Sequence, residues 1–216
     1  MMNTKENDME LRGGDFLIVV LTLPVVFDGE VELLEGLLDA GVEKLHIRKP
    51  GATAVEIENL LGRLSSRWAS RLVLHGSREM ALRYGIGQVH GAVERRDGKR
   101  SGGGPFVEVG MGVAVSTSVH SWEEFGVLPE ELAYAFISPL FDSISKKGYV
   151  GNKDLLSYDR SALPCLPVGL GGIGADTIGE MLEQGWTGAA VLGAIWDEPG
   201  RAVERYQELK KIIDEH

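Results

Sequence analysis

The chain contains a single cysteine and no long apolar run. Among its 216 residues Cys165 stands alone, which excludes an intramolecular disulfide and a cysteine-rich zinc site. Because Cys165 opens an apolar run, we expect it to be a buried structural thiol. No apolar stretch reaches the roughly 18 residues of a membrane-spanning helix, and residues 1–14 lack the apolar core of a signal peptide. We therefore expect a disordered tail over residues 1–14 and a soluble, cytoplasmic protein.

Basic residues are also few. The sequence has 22 Lys and Arg against 32 Asp and Glu, which gives a formal net charge of −10. This balance argues against a general binder of nucleic acid or of acidic membranes, because both require a basic face. It leaves room for a local basic pocket that holds an anionic metabolite. With 44% apolar residues, the chain can bury a sizeable core.

Short apolar runs alternate with helical patterns along the chain from residue 16 onward. The predicted strands are Phe16–Leu23, Glu43–Arg48, Arg71–His75, Ile86–His90, Gly112–Ser118, Ala133–Ser138, Leu166–Leu170 and Trp186–Leu192. The predicted helix caps are Thr53, Ser77, Ser121 and Asp197. Such alternation predicts a parallel sheet with right-handed crossovers, and eight strands close it into a single (β/α)8 TIM barrel over residues 15–216. A doubly wound open sheet is the alternative fold.

Two segments interrupt the repeat. Residues 91–110 are rich in glycine and in charged side chains, which predicts a flexible, irregular loop in place of much of the fourth helix. Residues 146–154, rich in glycine and lysine, form a second irregular segment. Between them, Ser121 and Glu124 have the spacing of a helix capping box.

Glycine turns follow the last two predicted strands. Gly171 and Gly172 end the seventh strand, and Leu192 and Gly193 end the eighth. Glycine lets backbone N–H groups approach a phosphate closely, and a following helix N-terminus adds partial positive charge. Turns at these two places form the phosphate site common to TIM barrels. We therefore predict a phosphate site, with tight turns that only make room for the backbone as the alternative.

Histidines and cations lie at other strand ends. His46, His75, His90 and His120 are at or just past the ends of predicted strands, which share one face of a barrel. Imidazoles there can act as acid–base groups, phosphate donors or metal ligands, although strand ends are also where polar side chains ordinarily begin. Arg48 and Lys49 end the second strand and suit a phosphate or diphosphate.

The loop after the sixth predicted strand has the composition of a substrate-closing loop. Ser143 and Ser145 supply hydroxyl groups, and Lys146 and Lys147 supply positive charge.

Carboxylates that could hold a metal ion are scarce at the strand ends. They are Glu94, Asp97 and Asp142, and the first two lie beside arginines. Mg²⁺ prefers carboxylate oxygens, and no His-x-His or spaced His/Cys pattern indicates zinc. We assign no metal ligand from the sequence.

The ordered motifs resemble the thiamine phosphate synthase and thiazole tautomerase (TenI) superfamily, from the first strand to the eighth. Residues 138–146 match the family signature Gly-Pro-x-Phe-x-Thr-x-Thr-Lys as Ser-Pro-Leu-Phe-Asp-Ser-Ile-Ser-Lys. Residues 118–124 resemble Ser-x-His-Ser-x-Glu-Glu, residues 171–173 resemble the end of Ile-Gly-Gly-Ile, and residues 191–193 stand in place of Val-Val-Ser.

The resemblance implies a (β/α)8 barrel that binds small phosphorylated substrates. In the synthase branch it implies condensation of hydroxymethylpyrimidine diphosphate with thiazole phosphate, giving thiamine phosphate and diphosphate. The implied catalytic residues are Arg48, Lys146, Ser118 and His75. The implied substrate-binding residues are His46, Lys49, His120, Ser143, Ser145, Gly171, Gly172, Leu192 and Gly193.

The chain departs from the synthase pattern on the diphosphate side. Synthases carry Asn-Asp after strand three, where the aspartate binds Mg²⁺, and this chain has His75-Gly76. The strand-four acidic ligand aligns near Arg95, and Pro50 replaces a lysine. Mg²⁺ is therefore an implied cofactor whose expected aspartate ligands are missing.

Three functions remain open from the sequence. The first is a divergent thiamine phosphate synthase. The second is a thiazole tautomerase, which needs no Mg²⁺ and shares the His-Ile-Arg and Lys-Lys-Gly sequences of this chain, although Pro139 replaces its histidine. The third is a barrel that binds thiazole phosphate or thiamine phosphate without catalysis. Apolar barrel helices can also pack on a second copy, so a homodimer is left open.

Overall fold

The chain folds into a closed barrel of eight parallel strands, which confirms the predicted fold class. The computed structural model describes residues 16–142, 150–159 and 161–216. The strands are β1 Leu17–Leu21, β2 Lys44–Ile47, β3 Leu72–Leu74, β4 Gln88–His90, β5 Val93–Glu94, β6 Arg100–Ser101, β7 Ala114–Val119, β8 Tyr134–Ile137, β9 Leu166–Leu170 and β10 Gly188–Val191. The barrel order is β1-β10-β9-β8-β7-β4-β3-β2, and β1 pairs with β2 to close it.

Helices cover the outside of the barrel. They are α1 Glu30–Asp39, α2 Ala54–Arg63, α3 Arg78–Arg83, α4 Trp122–Gly126, α5 Ile178–Glu183, α6 Gly193–Trp196 and α7 Ala202–Asp214, with 3₁₀ turns at Ser66–Arg71, Lys153–Leu155 and Pro199–Arg201. In the part of the chain that the structure describes, no helix is long and apolar enough to cross a membrane.

Alternate strand residues face opposite sides of the barrel wall, and this divides the core in two. In β1, Leu17, Val19 and Leu21 face the barrel interior with Tyr134 and Phe136. Ile18 and Val20 of the same strand pack outward against the helices. The outer core explains the three- and four-residue spacing, since an amphipathic helix buries one stripe of apolar residues.

Three of the four predicted helix caps are confirmed. Thr53 forms a full capping box with Glu56, and the Ser77 and Ser121 side chains accept from the N–H groups of residues three positions on. The Asp197 prediction is wrong, because Asp197 ends the short α6 rather than starting a helix. Glu124 does not complete a box with Ser121, since its carboxylate accepts from His120 N–H at 2.9 Å instead.

The segment between β4 and β7 contains no helix, as predicted, but it is more regular than an irregular loop. Strands β5 and β6 form an antiparallel hairpin, with Val93 opposite Ser101. The buried Arg95 donates to Asp97 and to Glu124, which attaches the hairpin to α4. Each strand has only two residues, too few for alternation to appear in the sequence. The predicted tail over residues 1–14 and residues 146–149 of the second irregular segment lie outside the described residues.

Candidate active site

The carboxyl ends of the eight barrel strands form a polar rim, where TIM-barrel active sites lie. Most of the predicted site residues lie on or beside this rim, namely Arg48, His75, Ser118, His120, Gly171, Gly172, Leu192 and Gly193, with His46 buried beneath it. Ser143, Ser145, Lys146 and Lys147 lie outside the described residues.

Three histidines meet at the centre of the rim, and we call His46, His75 and His90 the histidine cluster. His46 Nδ1 lies 2.8 Å from His75 Nε2. The rings of His75 and His90 stack with their centroids 4.3 Å apart, and His46 lies edge-on to both. One ring nitrogen of each residue lies within 4.8 Å of the other two. The sequence placed each histidine at a strand end but did not predict that they touch.

Hydroxyl groups surround the histidine cluster. His46 Nε2 lies 2.5 Å from the Tyr134 hydroxyl, and the two nitrogens of His90 each lie 3.0 Å from the hydroxyl of Ser116 or Ser118. Tyr134 and Ser116 were not among the site residues predicted from the sequence. The alternation of side chains along a strand could have indicated these contacts. It places Ser116 and Ser118 on the inward face of β7, and it places Tyr134 on the inward face of β8.

Burial disfavours the charged form of all three imidazoles in the histidine cluster. Burial, together with the positive charge of Arg48, lowers the pKa of His90 to about 3. Burial, with His90 and Arg48 as further causes, lowers the pKa of His75 to about 2, and burial also holds the pKa of His46 well below its ordinary value. Neutral imidazoles can donate or accept one proton each and can ligate a metal ion.

Lys49 does not belong to the rim, contrary to its predicted role beside Arg48. Its side chain is buried, and its ammonium group pairs with the buried carboxylate of Glu30. The same ammonium donates to the carbonyl oxygens of Leu23 and Val25, each at 2.8 Å. All three of its N–H donors are therefore used within the fold, and Lys49 holds the loop between β1 and α1 against β2.

His120 reaches the rim but not the histidine cluster. It is exposed, and its Nδ1–H donates to the Ser138 carbonyl oxygen at 2.9 Å. That bond orients the ring and leaves Nε2 as an acceptor that can contact a ligand.

The glycine turns after β9 and β10 lie side by side because those strands pair directly. Gly171 and Gly172 both have positive φ, at 101° and 64°. A Cβ at Gly172 would overlap the Asp142 carbonyl oxygen, so this glycine makes room for the loop after β8. Thr177, which the sequence analysis missed, holds the turn by donating to Gly172 O at 3.0 Å.

A cavity of about 620 Å³ opens beside these turns. Gly172, Gly174 and Gly193 line it on the barrel side, and Arg205 of α7 lines it with a buried Nε that has no partner among the described residues. Lys153 also lines it and pairs with Glu180 at 2.8 Å. The volume suits a small molecule.

The described residues do not form a carboxylate site for Mg²⁺. Glu94 is exposed on the hairpin, Asp97 pairs with Arg95 at 2.7 Å, and Asp142 accepts from Gly151 N–H at 2.8 Å. Within residues 16–142, 150–159 and 161–216, the group of at least three side chains suited to hold a metal is the histidine cluster. Imidazole nitrogens are poor Mg²⁺ ligands, so these residues do not fit that cofactor.

A closed barrel of eight parallel strands with helices on its outside defines a TIM-barrel protein. Residues 19–195 match the sequence model of a family described as thiamine monophosphate synthase. The match covers most of the chain, so the chain belongs to this family, and the family supports a role in thiamine biosynthesis.

Solved structures agree with the family. The chain is similar to the thiamine phosphate pyrophosphorylase of Bacteroides thetaiotaomicron, with 26% identity, a TM-score of 0.72 and coverage of 91% of this chain and 97% of the other. It also has the fold of the thiamine phosphate pyrophosphorylase of Pyrococcus furiosus, with 20% identity, a TM-score of 0.71 and coverage of 93% and 96%. A search of curated protein sequences finds no match.

Proposed function

We propose that the chain is a divergent thiamine phosphate synthase. It would join hydroxymethylpyrimidine diphosphate to thiazole phosphate, forming thiamine phosphate and releasing diphosphate. The observation that carries this proposal is the pair of adjacent glycine turns, Gly171-Gly172 and Leu192-Gly193, beside a substrate-sized cavity in a chain of this family. The turns suit the thiazole phosphate.

The chemistry requires separation of charge at the rim. The bond between the pyrimidine methylene carbon and the diphosphate oxygen breaks, and the thiazole nitrogen then attacks the resulting carbocation. Arg48 is exposed just after β2 and would take the leaving diphosphate. Lys146 would add a second cation from the loop after β8, and Ser118 would contact the pyrimidine. Holding both substrates in line supplies much of the rate.

A specific observation favours thiazole tautomerase as the second candidate. His75 lies at the rim with its Nε2 at 2.8 Å from His46 Nδ1, so a proton that leaves one ring nitrogen can be replaced at the other. Its lowered pKa makes it a weak base, so both proton transfers must occur together. A tautomerase needs such a group and needs no carboxylate-bound cation. Its substrate would be a carboxylated thiazole phosphate held in the same glycine turns.

Product formation from purified protein separates the candidates. With both substrates present we expect release of diphosphate and formation of thiamine phosphate, measured in EDTA and over a range of Mg²⁺ concentrations. Isomerisation of the carboxythiazole phosphate without release of diphosphate would instead identify a tautomerase. Separate calorimetric titrations with thiazole phosphate and with pyrimidine diphosphate measure which of the two substrates binds. Binding without either activity would leave a non-catalytic barrel.

Arg48→Ala tests the leaving-group role. Removing a group that stabilises transition-state charge costs on the order of a hundredfold in rate, so we expect kcat/KM for pyrimidine diphosphate to fall by about that factor. The control is Arg67→Ala, which removes an exposed arginine that pairs with Asp39 before β3, away from the rim. Equal activity in the two variants would show that Arg48 does not stabilise the leaving diphosphate.

A further inference from the structure

The histidine cluster has the composition of a metal site that the proposed function does not use. His46 and His90 lie in β2 and β4, and His75 directly follows β3, the strand between them. We propose that these three imidazoles bind one Zn²⁺ ion. The inference goes beyond the proposed function and does not depend on it.

The donor set selects the class of ion. Three neutral imidazoles with no carboxylate match the ligands of borderline transition metals and not those of Mg²⁺ or Ca²⁺. Zinc sites with three protein ligands keep a fourth position open for water or substrate. Here that position faces the rim, because His75 is half-buried while His46 is fully buried.

In each buried histidine, a hydrogen bond at one ring nitrogen can determine that the other ring nitrogen faces the metal. His90 Nδ1–H can donate to Ser116 Oγ at 3.0 Å, and the Ser116 hydroxyl can donate onward to the Val89 carbonyl oxygen at 3.4 Å. His46 Nε2–H can donate to the Tyr134 oxygen. These bonds leave the lone pairs of His90 Nε2 and His46 Nδ1 directed away from Ser116 and Tyr134. A metal ion would take the place of their present contacts with Ser118 Oγ and His75 Nε2. Such outer partners orient ligating histidines in zinc sites.

The distances between the ring nitrogens are close to those of a zinc site but do not equal them. Zinc–nitrogen bonds of about 2.0–2.1 Å in a tetrahedron place nitrogen atoms roughly 3.4 Å apart. His46 Nδ1 and His75 Nε2 are nearer than this, at 2.8 Å, and the widest of the three separations is within 4.8 Å. Metal binding therefore requires His75 to turn out of its stack on His90. His75 is the one ligand of the three that is partly exposed, so it is the ring that we expect to move.

Charge around the cluster determines what fills the fourth position. Arg48 lies close enough to depress the pKa of both His75 and His90. With neutral imidazole ligands, the ion keeps its two positive charges beside this cation. An anion, either hydroxide or a phosphate oxygen, is therefore the expected fourth ligand.

Direct metal titration tests the proposal. Protein without an affinity tag is treated with a chelator, dialysed and titrated with Co²⁺ and then Zn²⁺. We expect one equivalent of Co²⁺ to give the visible absorption bands of a tetrahedral complex, and one equivalent of Zn²⁺ to abolish them. A chain that takes up less than one equivalent, or that gives only octahedral cobalt, contradicts the proposal.

Variants locate the site. His75→Ala should weaken Zn²⁺ binding at least a hundredfold, and because it is half-buried its loss should leave the circular dichroism spectrum unchanged. Tyr134→Phe removes only an outer partner and should weaken binding about tenfold. The matched control is His216→Ala, which removes the exposed histidine at the chain end. Unchanged affinity in His75→Ala, or loss of affinity in His216→Ala, would overturn the assignment. Because all readouts are binding measurements, failure of the synthase reaction has no bearing on them.

Discussion

Gly172 allows the loop after β8 to lie directly against the turn after β9. The Phe141 amide donates to the Gly171 carbonyl oxygen at 3.0 Å, and this contact leaves no volume for a side chain at residue 172. The two predicted roles of these glycines, to bind a phosphate and to make room for a tight turn, are therefore compatible. The turn is tight because the two loops meet, and their meeting shapes the cavity.

Gly172→Ala should damage both stability and binding. The new Cβ would overlap the Asp142 carbonyl oxygen at a φ of 64° that alanine disfavours, so we expect a loss of about 1–3 kcal/mol in the free energy of unfolding. Urea denaturation measures it, and calorimetry should report weaker thiazole phosphate binding.

Gly179→Ala is the matched control, since Gly179 lies within α5 with nothing within 4 Å of an added Cβ. Alanine should stabilise that helix by roughly 0.5–1 kcal/mol. Similar effects at the two positions would contradict the close approach at Gly172.

Cys165 gives a prediction about reactivity. Burial raises the pKa of this thiol to about 12, and the thiolate is the reactive form. At pH 8 its thiolate population should be about a thousandfold below that of an unperturbed cysteine, because each pKa unit changes it tenfold. Ellman's reagent should therefore react slowly with native protein and rapidly in urea. Equal rates in the two conditions would show that the thiol is accessible.

At the level of elements, a buried ion pair joins β2 to the start of α1. Lys49 and Glu30 pair beneath the loop that follows β1, with side chains that are 0% and 1% exposed. Lys49→Met would leave Glu30 buried without its partner, which typically costs 3–5 kcal/mol. We expect a loss of about this size in urea denaturation. Substrate KM should stay unchanged in any fraction that remains folded.

Two further variants test that interpretation. Adding Glu30→Leu to Lys49→Met should restore much of the stability, because no unpaired charge remains. Lys153→Met breaks an exposed pair with Glu180 and should cost at most about 1 kcal/mol. If Lys49→Met instead raises KM strongly and leaves stability unchanged, Lys49 contacts the substrate.

The strands were predictable because apolar runs and glycine turns mark their ends. All eight barrel strands appear with ends shifted by no more than two residues. Lys49 does not share the predicted anion-binding position of Arg48 for a physical reason, since both residues follow β2 and continue its alternation, in which adjacent residues face opposite sides. His46 and Arg48 therefore point to the interior and its rim, while Lys49 points to the helices. The same alternation, applied to β2, would have given this result from the sequence.

The histidine cluster was less predictable. Strand ends locate His75 and His90 on one face of the barrel, but their contact with His46 depends on the stagger of the strands. His46 pairs in register with Val73 and lies deeper than His75. Stagger is a property of the closed barrel, and no local pattern in the sequence specifies it.

At the scale of the whole molecule, contacts between the ends of the chain accompany closure of the barrel. Strand β1 pairs with β10 along its length. Trp196, at the end of α6, donates from its indole nitrogen to the Leu21 carbonyl oxygen at 2.7 Å, across 175 residues of sequence. Phe27 packs edge-on against the same indole, with ring centroids 6.4 Å apart. Trp196 thus connects the last barrel strand to the first.

Trp196→Phe should lower global stability because it leaves the buried Leu21 carbonyl without its donor. Such a loss costs about 1–3 kcal/mol, beyond the effect of the smaller ring. Trp68→Phe is the matched control, since the Trp68 indole nitrogen is buried and has no partner among the described residues. The same atoms are removed there without loss of a hydrogen bond, at a ring that is half-buried beside Arg67 and Arg71. We therefore expect the midpoint of urea unfolding to fall more for Trp196→Phe, with the same denaturant slope in both variants. Equal midpoints would show that the hydrogen bond between the two ends contributes nothing to closure.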